Sequence, residues 1–211
     1  MRRLLTGGCV VLLALQGATV QAASYPLQIF TDNGQWGTGG TPGPYDPNLD
    51  MWVDVYNGLG TVSFEFHNEN DPSVEGIITD VYFDDGTLLG ISEVINGPGV
   101  LFTPVATPGD LPGGNLLYPP FETTGQFSAD SDPPVPHNGV NIGEWVIIRF
   151  DLMPGGTIDD VIAELADGTL RIGARIQALA DGSSESAIAV PEPATLVFFA
   201  LGMLGVLKRR W

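Results

Sequence analysis

Glycine and proline divide this chain into short segments, and this division constrains its fold more than any other feature of the sequence. The 28 glycines and 17 prolines lie mostly between apolar runs, where they favour turns and exclude long helices. Within the runs, apolar and polar residues alternate. In residues 61–67, for example, Val62, Phe64 and Phe66 share one face, as in a half-buried strand. The pattern predicts an all-β protein with frequent turns.

The arrangement of these runs predicts an antiparallel β-sandwich, jelly-roll-like, with one short helix. Thr157 and Asp160 predict the N-terminal cap of that helix, and Gly168 predicts its end. Residues 32–49 are interpreted as a loop, and residues 110–141, which lack periodicity, as a surface excursion. The predicted strands cover residues 25–31, 51–56, 61–67, 77–83, 87–95, 100–104, 144–152, 170–178 and 187–190.

The N-terminus has the three-part order of a secretory signal peptide. Two arginines precede an apolar stretch centred on residues 10–15, and small residues surround the bond between Ala22 and Ala23, so we expect cleavage after Ala22. Cys9 is the only cysteine and precedes the apolar stretch, which argues against a lipoprotein. The sequence therefore predicts a signal peptide over residues 1–22, with the secretion translocon and signal peptidase as partners. The mature chain would have no thiol chemistry.

The part of the chain between the two ends is strongly acidic. Five of the eight basic residues lie in the ends, as does one acidic residue, Glu192, which leaves 24 acidic and three basic residues and a net charge of −21 for the rest. Such a surface repels nucleic acid and anionic lipid and favours solubility. We expect a soluble domain over residues 23–189 that has no nucleic-acid partner.

The C-terminal residues 190–211 form three consecutive modules. Prolines hold the first module extended, the form that a processing enzyme can bind, and basic side chains in the third resist translocation and remain cytoplasmic. The 14 uncharged residues of the second give roughly 21 Å of helix, short of the roughly 30 Å hydrocarbon core. A buried helix would show one polar face, which this run lacks. The modules are the tripeptide Pro191, Glu192 and Pro193, the predicted membrane-spanning run 194–207, and the stop signal Lys208, Arg209 and Arg210.

In content, order and position, these modules resemble the PEP-CTERM sorting signal of Gram-negative bacteria. The resemblance covers about the last 22 residues. It implies recognition by an exosortase, a membrane protease or transpeptidase, at or near the proline-flanked glutamate. It also implies an inner-membrane intermediate, followed by delivery to the cell envelope, surface or extracellular matrix, in association with exopolysaccharide and biofilm.

Catalytic signatures are absent from the sequence. His67 is predicted on the polar face of a strand and His137 in a proline-rich loop, and both are interpreted as solvated histidines. The chain contains no nucleophile elbow, zinc-protease motif or phosphate-binding loop. Paired carboxylates could serve glycoside hydrolysis, but with so many acidic residues, pairs also arise by chance. We expect no catalytic residues.

Two sets of oxygen-bearing side chains are candidates for a structural calcium ion. Neither set has the spacing of a calcium-binding loop, and the alternative is a set of solvated turn residues, so no cofactor is expected beyond this candidate. The first set is Asp80, Asp84 and Asp85, and the second is Asn68, Asn70 and Asp71.

Aromatic residues offer the clearest candidate ligand contact. Trp36, Trp52 and Trp145 could stack on the apolar face of a sugar. Trp145 lies opposite the apolar face of its strand, which makes it the best candidate. The sequence thus favours a non-enzymatic exported protein of the envelope or matrix. A carbohydrate-binding module is the alternative, and a secreted glycan-active enzyme is the third hypothesis.

Overall fold

The computed structural model describes residues 22–33, 49–58 and 60–191. Within these residues the chain forms ten strands, two α-helices and one short 3-10 helix. The strands are β1 (Ala22–Ile29), β2 (Met51–Asn57), β3 (Thr61–Asn68), β4 (Glu75–Asp84), β5 (Leu88–Asn96), β6 (Phe102–Pro104), β7 (Ser128–Ser131), β8 (Glu144–Leu152), β9 (Arg171–Leu179) and β10 (Glu185–Ala189). The helices are the 3-10 helix Gly114–Leu116, α1 (Val135–Asn138) and α2 (Ile158–Asp167).

All ten strands belong to one antiparallel sheet, in the order β5-β8-β3-β2-β1-β10-β9-β4-β7-β6. β1 joins its two halves, because residues 22–26 pair with β2 and residues 27–29 pair with β10. The sheet is nearly closed: Asn96 in β5 accepts a hydrogen bond from Phe102 N in β6 (2.8 Å) and donates one to its carbonyl (3.2 Å). The predicted antiparallel β architecture is confirmed, in the form of this single sheet.

An aromatic cluster fills the space between the two halves of the sheet. Phe83 of β4 packs edge-on against Phe64 and Phe150, with ring centroids 4.9 and 4.7 Å apart, contacts worth roughly 0.5–1.5 kcal/mol each beyond area burial. Phe64 and Phe66 of β3 are fully buried, as the alternation predicts. The inward faces of β3 and β8 therefore fix which side chains point outward.

The predicted helix is confirmed as α2. Thr157 and Asp160 form a reciprocal capping box, and Gly168 ends the helix in the left-handed conformation (φ 82°). The hydrogen bonds from Thr157 hold the pKa of the Asp160 carboxyl below its usual range. Glu164 accepts a hydrogen bond from Thr87 N (2.9 Å), which attaches α2 to the turn between β4 and β5.

The surface excursion predicted over residues 110–141 contains more regular structure than expected. It holds the 3-10 helix, β7 and the four-residue α1. Prolines still interrupt it, and β7 is a short strand that pairs with β4 and β6 over three residues each. The absence of periodicity reflects the shortness of these elements rather than a lack of structure.

Most of the predicted terminal signals lie outside the described residues. These are residues 1–21 of the signal peptide and residues 192–211, including the run 194–207. None of the helices in the described ranges is long and apolar enough to cross a membrane.

Candidate functional site

The outward side chains of β2, β3 and β8 form a face of mixed aromatic and charged character. The ladder aligns Trp52 with His67 and His67 with Trp145, so these three rings lie in one row across the sheet. In β2 the row follows from simple alternation, since Val53 and Val55 are fully buried while the residues between them face outward. We call the outward surface of these strands the β2–β3–β8 face.

Trp52 and His67 are stacked on each other. Their ring centroids are 4.8 Å apart and their planes differ by 15°. One face of the Trp52 indole is therefore covered by the imidazole and is closed to a ligand. Trp145 is half-buried and packs beside Gly97, where an added Cβ would lie 3.1 Å from the indole.

Two carboxylates occupy the next row of this face. Asp54 and Glu65 are directly opposite each other in the β2–β3 ladder, and like charges in such positions destabilise a sheet. Trp52 Nε1 donates to Asp54 Oδ2 (3.1 Å), and the Tyr56 hydroxyl donates to Glu65 Oε2 (3.0 Å). Among the described residues, neither carboxylate pairs with a lysine or an arginine. The basic side chain beside this pair is therefore a histidine, His67, and not a lysine or an arginine.

His67 lies between these carboxylates. Its Nε2 is 3.3 Å from Asp54 Oδ2 and 3.6 Å from Glu65 Oε1, but the atom is buried and forms a hydrogen bond with neither. The side chain is only 20% exposed. The prediction of a solvated surface histidine is wrong for His67, because Trp52 covers its ring. For His137, which is exposed on α1, solvation fits the structure.

The face continues with Tyr56 and Arg149. Burial and the hydrogen bond to Glu65 raise the pKa of Tyr56 to about 12, so this hydroxyl remains a donor at neutral pH. Arg149 forms an ion pair with Glu93 and also donates to Ser63 Oγ (3.3 Å). The single arginine of the face is thus already paired.

The second calcium candidate set has its oxygens engaged within the fold. Asn68 and Asn70 are buried, and their side-chain oxygens accept from backbone N–H groups of Asn70 and Asp50 (3.2 and 2.7 Å). Asp71 accepts from Ser73 N (2.8 Å).

The three carboxylates of the first calcium candidate set do not form a shared site either. Asp84 pairs with Arg171, Asp80 accepts from Thr79 Oγ1 (2.7 Å), and Asp85 follows them in the turn at φ 64°. Within the described residues, no group of three histidine, cysteine, aspartate or glutamate side chains is arranged to hold a metal ion.

One polar cluster was not predicted from the sequence. Asp80 of β4 and Asp130 of β7 are ladder partners, and burial raises the pKa of both carboxyls. Asp80 had been considered only as a calcium ligand. Its partner lies 50 residues away in a short strand, and no local signal in the sequence links the two.

The predicted processing sites lie at the margins of the described structure. Ala22 and Ala23 begin β1 and pair with Tyr56 and Val55. Pro191 is exposed and is the last described residue. The other sorting residues Glu192, Pro193, Lys208, Arg209 and Arg210, and the aromatic candidate Trp36, lie outside the described residues.

Comparison with known proteins gives one match, which lies at the C-terminus. Residues 189–210 match the family model of the PEP-CTERM protein-sorting motif. No curated protein and no solved structure matches the chain. The motif supports export of the chain and its sorting to the cell envelope by an exosortase. The chain therefore carries a PEP-CTERM protein-sorting motif at its C-terminus, preceded by an antiparallel β body.

Proposed function

We propose that this protein is a non-catalytic surface or matrix component whose β body binds extracellular polysaccharide through the β2–β3–β8 face. The observation that carries the proposal is the carboxylate pair, Asp54 opposite Glu65, flanked by the stacked Trp52 and His67. The sorting motif supports delivery of the body to the cell envelope, and extracellular polysaccharide is the class of ligand that we propose for it there.

The chemistry of the face suits the hydroxyl groups of a sugar. Carboxylates accept hydrogen bonds from hydroxyls and form stronger bonds than neutral acceptors do. The half-buried Trp52 indole, beside the carboxylate pair, offers apolar surface for a pyranose ring. Trp145 extends the row, half-buried beside Gly97.

Binding of the mature protein, purified from the envelope or medium of a producing strain, to defined polysaccharides tests the proposal. We expect saturable binding that weakens about tenfold or more, roughly 1.4 kcal/mol, in the double variant Asp54→Asn with Glu65→Gln. The charge-matched control is Glu122→Gln with Asp159→Asn, two exposed carboxylates away from this face.

Three results would contradict different parts of the proposal. Equal binding by the two double variants, with unchanged circular dichroism, would remove the face from the proposal. Absence of binding to every polysaccharide would reject the function. Release of soluble sugar by the wild type, lost in the Asp54 and Glu65 variant, would establish the glycan-active enzyme instead.

We also propose two steps in the delivery of the protein. The signal peptide over residues 1–22 is removed by signal peptidase, and residues 194–207 hold an inner-membrane intermediate before exosortase acts. Mass spectrometry of the mature protein should find an N-terminus at Ala23. An N-terminus at Met1 would contradict signal-peptide cleavage, and a C-terminus at Trp211 in an exosortase-positive host would contradict processing.

A further inference from the structure

The sorting motif begins inside the folded body. The match to the motif starts at residue 189, and Ala189 is the last residue of β10, paired with Leu27 of β1. The next residue remains attached, since Val190 N donates to the carbonyl of Pro26 (3.1 Å). No linker therefore separates the body from the segment that exosortase recognises.

β10 is held firmly in the sheet. It lies between β1 and β9, and Glu185 at its start is buried, accepting from Thr31 Oγ1 (2.6 Å) and Asn33 N (2.7 Å). Thr31 Oγ1 also accepts from Ser186 N (2.7 Å). The start of β10 is thus fixed by side chains, and its end by the ladder with β1.

Enzymes that process peptides bind them extended, with main-chain hydrogen bonds like those of an added strand. The N–H of Val190 cannot bond to Pro26 and to an enzyme at the same time. We propose that exosortase competes with β1 for the backbone of Ala189 and Val190, so that the folded body restrains processing of its own sorting motif. Productive binding then requires release of this end of β10.

Pairing of β10 with β1 should lower the apparent affinity of exosortase for the motif. When a binding-competent state is only a fraction of the population, the apparent affinity falls by that fraction. Every change that frees the end of β10 should accelerate processing, and changes elsewhere that leave the body equally stable should not.

The test is a pulse-chase measurement of precursor conversion in a host with active exosortase, with an exosortase-deficient host as the reference. Six Gly-Ser residues inserted between Val190 and Pro191 leave the ladder intact and separate the proline-flanked glutamate of the motif from it. We expect conversion roughly fivefold faster, the factor that corresponds to about 1 kcal/mol of opening free energy. The matched control carries the same insert between Gly109 and Asp110, two exposed loop residues, and should convert at the wild-type rate.

A second variant reaches the same junction without changing the motif. Thr31→Val removes the hydroxyl that binds Glu185 and Ser186, loosens β10 and should also accelerate conversion. Unchanged or slower conversion with the Val190–Pro191 insert would overturn the proposal. Equal acceleration by the control insert would also overturn it, because the effect would then not depend on the β10 junction.

Discussion

Two outer faces of the same sheet carry carboxylates, but they differ in how those carboxylates are covered. On the β2–β3–β8 face, Asp54 and Glu65 are half-buried, with side chains 36% and 23% exposed. On the opposite half, Asp80 is only 3% exposed beside the fully buried Tyr82. A further segment of the chain crosses the second face and buries its outward side chains.

Residues 105–121 form that covering segment. Tyr82 donates its hydroxyl to the carbonyl of Pro108 (3.2 Å), Thr107 N donates to Asp130 Oδ2 (3.0 Å), and Leu111 packs with Phe121 and Tyr82 in a second small core. Burial raises the pKa of the Tyr82 hydroxyl. Outward carboxylates thus belong to a buried layer where residues 105–121 cover the sheet, and to a candidate binding surface at the β2–β3–β8 face.

The largest expected effect comes from removing the residue that fastens the covering segment. Arg171 donates to the carbonyls of Pro119 (2.7 Å) and Pro120 (2.6 Å), lies 5.3 Å from the Phe121 ring centroid, and pairs with the nearly buried Asp84. Arg171→Met leaves that carboxylate unpaired and should lower the free energy of unfolding by about 3 kcal/mol, measured by urea denaturation.

Arg149→Met is the matched control for that prediction, on the β2–β3–β8 face. Its ion pair with Glu93 is 32% and 52% exposed, and exposed pairs contribute about 0–1 kcal/mol. Equal losses from the two substitutions would contradict the distinction between a covered and a less covered face.

The next effect concerns the pH dependence of stability on the covered face. Burial raises the pKa of the Asp80 carboxyl. The favourable contribution of this carboxyl to the free energy of unfolding is therefore fully present below the unfolded pKa of about 3.9, where it is protonated. This contribution is lost as pH rises through the folded pKa. Asp80→Asn should therefore raise the free energy of unfolding relative to wild type at pH 7, by an amount on the order of 1 kcal/mol, and less at pH 4. Denaturation curves between pH 4 and 8 measure this, with Asp159→Asn as an exposed control. A variant less stable than wild type at pH 7 would show that the ionised Asp80 is stabilising.

The smallest effect is expected at the carboxylate pair. Glu65→Gln relieves the repulsion from Asp54 and should stabilise the protein by about 0.5 kcal/mol, while the same change weakens polysaccharide binding. A thermal unfolding midpoint that rises as binding falls is the expected result. A lower midpoint would mean that Glu65 is retained for stability rather than for a ligand.

The sequence predicts some parts of this fold well, for local physical reasons. Alternation in β3 and β8 gives the inward phenylalanines, and the capping residues Thr157 and Asp160 give α2, because each signal lies within one element. The pairing of Asp54 with Glu65 depends on the register between strands, which alternation alone does not determine. The neighbours β3 and β8 are separated by more than 70 residues of chain, so the row that contains Trp145 could not be assembled from local patterns.

In the candidate site, too, features within one strand could be predicted, whereas contacts between strands could not. Trp145 was favoured from its position opposite an apolar face, whereas the structure draws attention to Trp52 and His67, whose stacking depends on adjacent strands. The C-terminal motif was recognisable because its information is contiguous in the sequence. The overlap of the motif with β10 could not be recognised in the same way, because the sequence pattern of residues 187–190 does not indicate which strand these residues pair with.

The contact between Asn96 and Phe102 has a consequence for an exported protein, whose copies can meet at the cell envelope. Unpaired strand borders are templates for association with neighbouring molecules. Here the two outermost strands are brought together by one amide side chain, and β5 is further distorted by two register shifts. At this point neighbouring copies of the chain would therefore find less unpaired backbone to share, which disfavours edge-to-edge association through the Asn96 end of β5.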